Sequence, residues 1–438
     1  MADKMRFVHQ VAHLFRGQVL YAGAQFAILA LLSWFGGESQ SGLYILALAT
    51  TAPIFMFFDL NLRVVRSTDQ AHNEKFVSYV GLRACCLLLA AAVSLIVGSF
   101  FSHDKFVIIA VVTAFRIGDS LSNLAFGGFQ RAERSDLVGK TLTVKGIISV
   151  VAVLAVGYIS QGSAVATGLA MAAISIYFGA FRDIPAAWAI NEPASPVSLG
   201  RIQEAMKDVG TSLRIAKRAL PLGFDASISS LALNVPKYCV EAFFGTGALG
   251  VFGLLMQLAY SIQMLVGAVG HTGVSVLAKL RLENSRDQFW RLFNRMLGTS
   301  LAVGAVAVIG GTLVLPKVFG YFLGPSYDQP WLMALLLVAS CLTGAQRTAG
   351  RATQACNRYF AYTLFDVVIF SVSLIASLLL VEHYKLYGAA ISLVLAFATG
   401  LLITLGHTRF GLWPRDVAAP DSVDRVTSST TKANKSLS

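Results

Sequence analysis

Charge is what this chain is short of. Only 13% of its 438 residues are Asp, Glu, Lys or Arg, about half the share of an ordinary soluble domain. Hydrophobic residues make up 55% and the mean hydropathy is +0.66. So few charges cannot screen that much apolar surface from water, which excludes a soluble fold. Acidic residues are scarcer than basic ones, 23 against 35, for a net charge of +12. In a soluble protein this excess would suggest nucleic acid as a partner. In a membrane protein it reports topology, because Lys and Arg collect on the cytoplasmic side.

Reactive groups are equally sparse. The five cysteines, Cys85, Cys86, Cys239, Cys341 and Cys356, all fall in or beside apolar runs without CxxC or zinc-ligand spacing. A disulfide framework and a structural zinc site are therefore not expected. There is no HExxH, GxSxG or phosphate-binding P-loop. Gly245-Thr-Gly-Ala-Leu-Gly250 fits GxGxxG but follows no strand, so it is a chance match. Neither catalysis nor a cofactor nor a metal is expected. The basic N-terminus leads into an apolar run without a small-residue cleavage site, and is read as a retained first span.

What the chain has is long apolar runs. Twelve stretches reach the roughly 20 residues a transmembrane helix needs: 18–36, 42–62, 79–101, 106–130, 142–160, 163–182, 219–245, 249–278, 292–315, 331–350, 361–381 and 386–406. The expected fold is all-α and polytopic, with 12 transmembrane helices in two six-helix bundles, 1–182 and 219–413. A polar stretch, 183–218, links them and contains a basic amphipathic segment with Ile202, Ala205, Met206, Val209 and Leu213 at helical spacing. Residues 414–438 read as a disordered cytoplasmic tail.

If the N-terminus is cytoplasmic, 30 of the 35 basic residues fall on the inner side. Three, Lys105, Lys317 and Lys385, fall on the outer side, and Arg116 and Lys237 lie within spans. That bias puts both termini in the cytoplasm. The outer loops are too short for a folded domain, which argues against a glycan polymerase or ligase. The two halves are weakly alike: Gly42-Leu-Tyr opens the second span and Gly250-Val-Phe the eighth, as in six-plus-six transporter repeats.

Ionisable residues at membrane depth are costly and normally face a cavity or a partner. The fourth span carries Arg116, Asp119, Ser120, Asn123 and Gln130 on one face. Arg116 is either an anion contact or an internal partner of Asp119. The seventh carries Ser227, Ser230, Asn234, Lys237 and Glu241 on one face, with Pro236 bending the helix beside the lysine. Lys237 either serves substrate or snorkels outward with help from Glu241. Thr343, Arg347, Arg351, Gln354 and Arg358 form a third stripe, read as a solvated cytoplasmic end. Gln25, Asp59, Asp225, Gln257, Gln263, His271 and Asp366 read as structural polar residues.

At Gly42-Leu-Tyr-Ile-Leu-Ala-Leu-Ala-Thr-Thr-Ala-Pro53 and Asp59-Leu-Asn-Leu-Arg-Val-Val-Arg-Ser-Thr-Asp69 the chain resembles the oligosaccharide flippases of polysaccharide biosynthesis. The wider group also holds multidrug extruders and lipid II flippases. The resemblance implies export of a polyprenyl-diphosphate-linked oligosaccharide across a bacterial inner membrane, beside glycosyltransferases or a glycan polymerase. Arg116, Asn123, Asn234 and Lys237 are the candidate substrate contacts, and Asp119 and Glu241 the candidates for coupling or charge pairing. The rival is a multidrug antiporter of the same fold, with Asp119 or Glu241 carrying the proton.

Overall fold

A computed structural model of the chain describes residues 2–68, 74–193, 198–271, 277, 280, 281, 283, 285–355 and 359–411. Among these residues every regular element is a helix. The first half holds α1 (Ala2–Phe58), α2 (Leu62–Thr68), α3 (Phe76–Gly98), α4 (His103–Arg131), α5 (Ser135–Ser160) and α6 (Ala164–Ile176). A π-helical stretch, Tyr177–Asp183, leads into α7 (Ile184–Asn191), and α8 (Leu199–Lys207) follows. The second half holds α9 (Val209–His271), α10 (Arg286–Leu323), α11 (Pro330–Ala355) and α12 (Tyr359–Gly411).

Nine helical segments among the described residues are long and apolar enough to cross a membrane. Their outer faces carry unscreened aliphatic groups; Val306, Ile309 and Leu313 of α10 are 64–72% exposed. Helices satisfy their own backbone groups, so hydrocarbon can solvate such surfaces where water cannot. The protein is a polytopic membrane protein.

Three helices far exceed one crossing. α1, α9 and α12 have 57, 63 and 53 residues, or roughly 80–95 Å each at 1.5 Å per residue. Each is interrupted by one non-helical residue: Gly37 (φ 75°), Gly245 (φ 80°) and Lys385 (φ 54°). Positive φ costs a side chain dearly and glycine nothing, which accounts for two of the three.

The segments after Gly37 and Gly245 interlock reciprocally. A Cβ on Gly42 would sit 1.8 Å from the Thr246 carbonyl oxygen, and one on Gly250 would sit 2.1 Å from that of Glu38. One sequence offset relates Gly37 to Gly245, Glu38 to Thr246 and Gly42 to Gly250. The contact is thus locally two-fold, and only glycine lets the backbones approach so closely.

The core follows this geometry. The largest apolar cluster crosses both halves near these breaks, joining Tyr44 and Ile45 of α1 to Leu249 and Phe252 of α9 and Leu332 of α11. At the opposite end the core divides. One cluster, around Phe76, Phe129 and Trp188, belongs to the first half and takes in Ile215 and Ala219 of α9. Another, around Phe289 and Ala349, belongs to the second. The molecule is closed at the end of the glycine breaks and splits towards the other.

The polar middle stretch begins later than its composition suggests. Asp183 is buried, with Thr141 Oγ1 3.4 Å from its carboxylate, and Trp188 of α7 is fully buried. Ile184-Pro-Ala-Ala-Trp-Ala-Ile190 is apolar, and α7 packs it into the first half; exposed chain starts near Glu192. In the amphipathic segment, Ala205 of α8 meets Gly81 of α3. Asp208 accepts from the Thr211 N–H at 3.1 Å, capping α9, and that bond holds its carboxyl below the usual range.

Candidate functional site

Where the halves diverge, α1, α4, α9 and α11 enclose a cavity of about 510 Å³. Prolines shape its walls. Pro53 of α1 leaves the Ala49 carbonyl without its helical donor, and the Tyr238 hydroxyl of α9 supplies one at 2.6 Å. Pro236 of α9 likewise frees the Ala232 carbonyl, which accepts from Ser373 Oγ of α12 at 2.7 Å. Each carbonyl freed by a proline is therefore taken by a hydroxyl from another helix. The Pro53 carbonyl itself accepts from Ser227 Oγ at 3.0 Å.

Arg116, Asp119, Asn234 and Lys237 all line this cavity. Arg116 donates to the Leu48 carbonyl at 3.1 Å. The Arg116–Asp119 pair allowed by spacing is not among the ion pairs of the described residues. Asp119 instead accepts from Lys145 Nζ of α5 at 3.0 Å, and from the Tyr21 hydroxyl at 3.4 Å. Lys237 Nζ donates to Asn234 Oδ1 at 3.0 Å, and the Asn234 amide donates to the Ser230 carbonyl at 2.8 Å. This chain of bonds fixes the amide with its oxygen towards the ammonium. Lys237 has no acidic partner among the described residues and is turned into the cavity rather than outward.

Two expected residues lie elsewhere. Asn123 does not line the cavity; its oxygen accepts from Arg63 Nη1 at 3.5 Å, while Gln130 accepts from Arg63 Nε at 3.1 Å. Glu241 is also outside the lining and pairs with Lys105, joining the start of α4 to α9 just before Gly245. Arg347, read from sequence as part of a solvated end, lines the cavity. Gln354, Arg358 and His271 lie outside the residues whose side chains are described.

Sequence reasoning missed the cations behind the wall. Arg83 and Lys145 are among the 30 basic residues that the charge count assigns to the inner side, yet their side chains are 0% and 1% exposed. Asp59 accepts from both Arg83 and Ser120. The available signal was position, since residues 83 and 145 fall inside the predicted spans 79–101 and 142–160. Of the lining residues, Arg116, Lys237 and Arg347 are cationic and Asp119 alone is a carboxylate. Lys145 engages Asp119 from behind, and Asp366, bonded to Ser229 of the same lining, lies beside Arg347, which leaves Arg116 and Lys237 as the positive charge offered to an anion.

Residues 7–276, more than half the chain, match the model of the polysaccharide biosynthesis protein family. The chain belongs to that family. The match includes the motif Arg63 and Arg66. Arg66 donates to the Asn191 oxygen at 3.0 Å and lies over the rings of Phe76 and Tyr79, tying α2 to α3 and α7. Asp69, the last residue of the motif, lies outside the described residues.

A curated relative is the capsular polysaccharide biosynthesis protein CapF of Staphylococcus aureus. It is 22% identical over 395 residues, covering 89% of this chain and 96% of that protein. Among solved structures, the lipid II flippase MurJ in an inward closed conformation superposes with a TM-score of 0.70 at 14% identity, covering 92% of this chain and 88% of that one. An inward-facing multidrug resistance MATE family transporter of the MOP superfamily gives 0.67 at 15% identity, with 92% and 98% covered. This member of the polysaccharide biosynthesis family thus shares the fold of membrane transporters.

Proposed function

We propose that the protein is a flippase that carries a polyprenyl-diphosphate-linked oligosaccharide from the cytoplasmic to the outer leaflet of a bacterial inner membrane by alternating access. The observation that carries this reading is that one cavity is lined by Arg116 and Lys237, from different halves, neither of them ion-paired among the described residues. A diphosphate bears about two negative charges and cannot enter hydrocarbon unaided. Arg116, Lys237 and the oriented Asn234 would replace part of its hydration, while the polyprenyl tail stays in lipid. With the cytoplasm negative, each negative charge moved outward gains about 2.3 kcal/mol per 100 mV.

In this reading the breaks at Gly37, Gly245 and Lys385 are turns, so the nine segments make twelve crossings in two bundles, 1–182 and 219–413. Both termini are then cytoplasmic, the tether between the bundles is the part of 183–218 that follows α7, from about Glu192 onward, and 414–438 is a cytoplasmic tail. The cavity then faces the cytoplasm. Glu241 serves as half of an outer latch rather than as a proton carrier. Glu241→Gln should favour the outward-open form by about fivefold, the upper worth of a partly exposed pair. Faster labelling of a Ser41→Cys reporter, buried here against Gly250, by an external, membrane-impermeant maleimide would register it; unchanged labelling would remove the latch.

The cationic lining also bears on the multidrug alternative, since Arg116 and Lys237 would repel a cationic drug. Deleting the gene should trap lipid-linked oligosaccharide on the inner leaflet and deplete surface glycan. Purified protein in liposomes should move a labelled polyprenyl-diphosphate sugar between leaflets. Proton-dependent dye efflux with unaltered surface glycan would overturn the proposal.

A further inference from the structure

A second cleft lies away from the transport cavity. α10 and α12 each pack on α11, and between the start of α10 and the end of α12 they leave about 420 Å³. Arg286, in the first turn of α10, and Arg409, in the last turn of α12, both line it. Asn294 adds an amide, and Phe293, Leu297 and Leu405 supply an apolar floor. Trp290 forms one wall, held edge-on by Phe289 and Phe293 at 5.6 and 5.5 Å. Among the described residues no carboxylate lines the cleft and neither arginine has an ion-pair partner.

We infer that this cleft binds the headgroup phosphate of an anionic phospholipid. Two guanidinium groups and an amide at the end of two membrane helices form a donor set suited to one phosphate. Trp290 lies one turn from the start of α10, and indoles near the ends of membrane helices commonly mark the headgroup region. The surface continuing from the cleft suits lipid and not a free anion. One turn beyond Leu297, Leu301 is exposed on α10; on α12, Leu402 and Leu395 continue the Leu405 side, with Leu402 71% exposed. These rows offer apolar tracks to acyl chains whose phosphate is held by the arginines. The proposal is independent of what the central cavity transports.

The test uses the purified full-length protein. Phosphatidylglycerol should be retained in native mass spectra and should raise the melting temperature saturably, whereas phosphatidylcholine and inorganic phosphate should do neither. Arg286→Gln with Arg409→Gln should weaken binding roughly 25-fold, about fivefold for each basic group near the surface. A second arm needs no arginine variant: phosphatidylglycerol brominated near its glycerol end should quench a component of tryptophan fluorescence that Trp290→Phe removes. Equal affinity for phosphatidylcholine, stabilisation by phosphate alone, undiminished binding by the double variant, or quenching unchanged by Trp290→Phe would each overturn the site.

Discussion

Replacing both Arg116 and Lys237 by glutamine should abolish transport while leaving the fold as stable as before, or more so. The two halves of that expectation rest on different physics. A hydrogen bond to a charged group contributes about 1.5–3 kcal/mol, so each single variant should slow transport roughly 10- to 150-fold, and the pair should approach background. Stability should move the other way. Both cations sit at membrane depth on a cavity wall, and Lys237 has only an amide oxygen to meet its ammonium. Neutralising a poorly paired cation relieves desolvation, and glutamine retains a donor for the Leu48 carbonyl that Arg116 now uses. A structural cation behaves oppositely, since its loss lowers stability first. Proteoliposome transport of a labelled polyprenyl-diphosphate sugar, measured beside thermal unfolding, reads both quantities. Full transport by the double variant would remove the diphosphate assignment.

The residues that sequence reasoning located are those whose cost is local. A lysine beside a proline in an apolar run is anomalous whatever surrounds it, and so is an arginine eleven residues inside the fourth span. Lys237 and Arg116 were legible for that reason, and the membrane class was legible from the deficit of charge. The partners were not legible, because pairing depends on which helices meet. Asp119 has Arg116 one turn away, yet it accepts from Lys145, which lies on α5. Glu241 stands one turn from Lys237 and pairs with Lys105, 136 residues distant. Asn123 and Gln130 share a stripe with Arg116, but α4 runs 29 residues and meets α2 further along, so they hold Arg63 instead. Helical spacing gives a face, and depth along that face decides the neighbour.

The Lys145–Asp119 pair supplies the sharpest test of how the cavity keeps its charge. Lys145→Met should lower stability by about 1–3 kcal/mol, less than the ~3–5 kcal/mol of a fully buried pair, because the Asp119 side chain it strands is 39% exposed to the cavity. It should also slow transport about as much as Arg116→Gln does, for a reason unrelated to folding. Asp119 would lose the cation behind the wall and turn to the nearest one left, Arg116 on the next turn of α4, withdrawing it from an incoming anion. Adding Asp119→Asn to Lys145→Met removes the stranded carboxylate. The double variant should therefore recover most of the stability and return transport to within a few-fold of wild type. The coupling should be large in a double-mutant cycle, as expected for two residues in direct contact. A proton-coupled antiporter relying on Asp119 would behave differently, because every variant lacking the carboxylate would be inactive. Inactivity of the double variant, with folding restored, would make Asp119 a coupling group; recovery would make it a spacer that Lys145 holds away from Arg116.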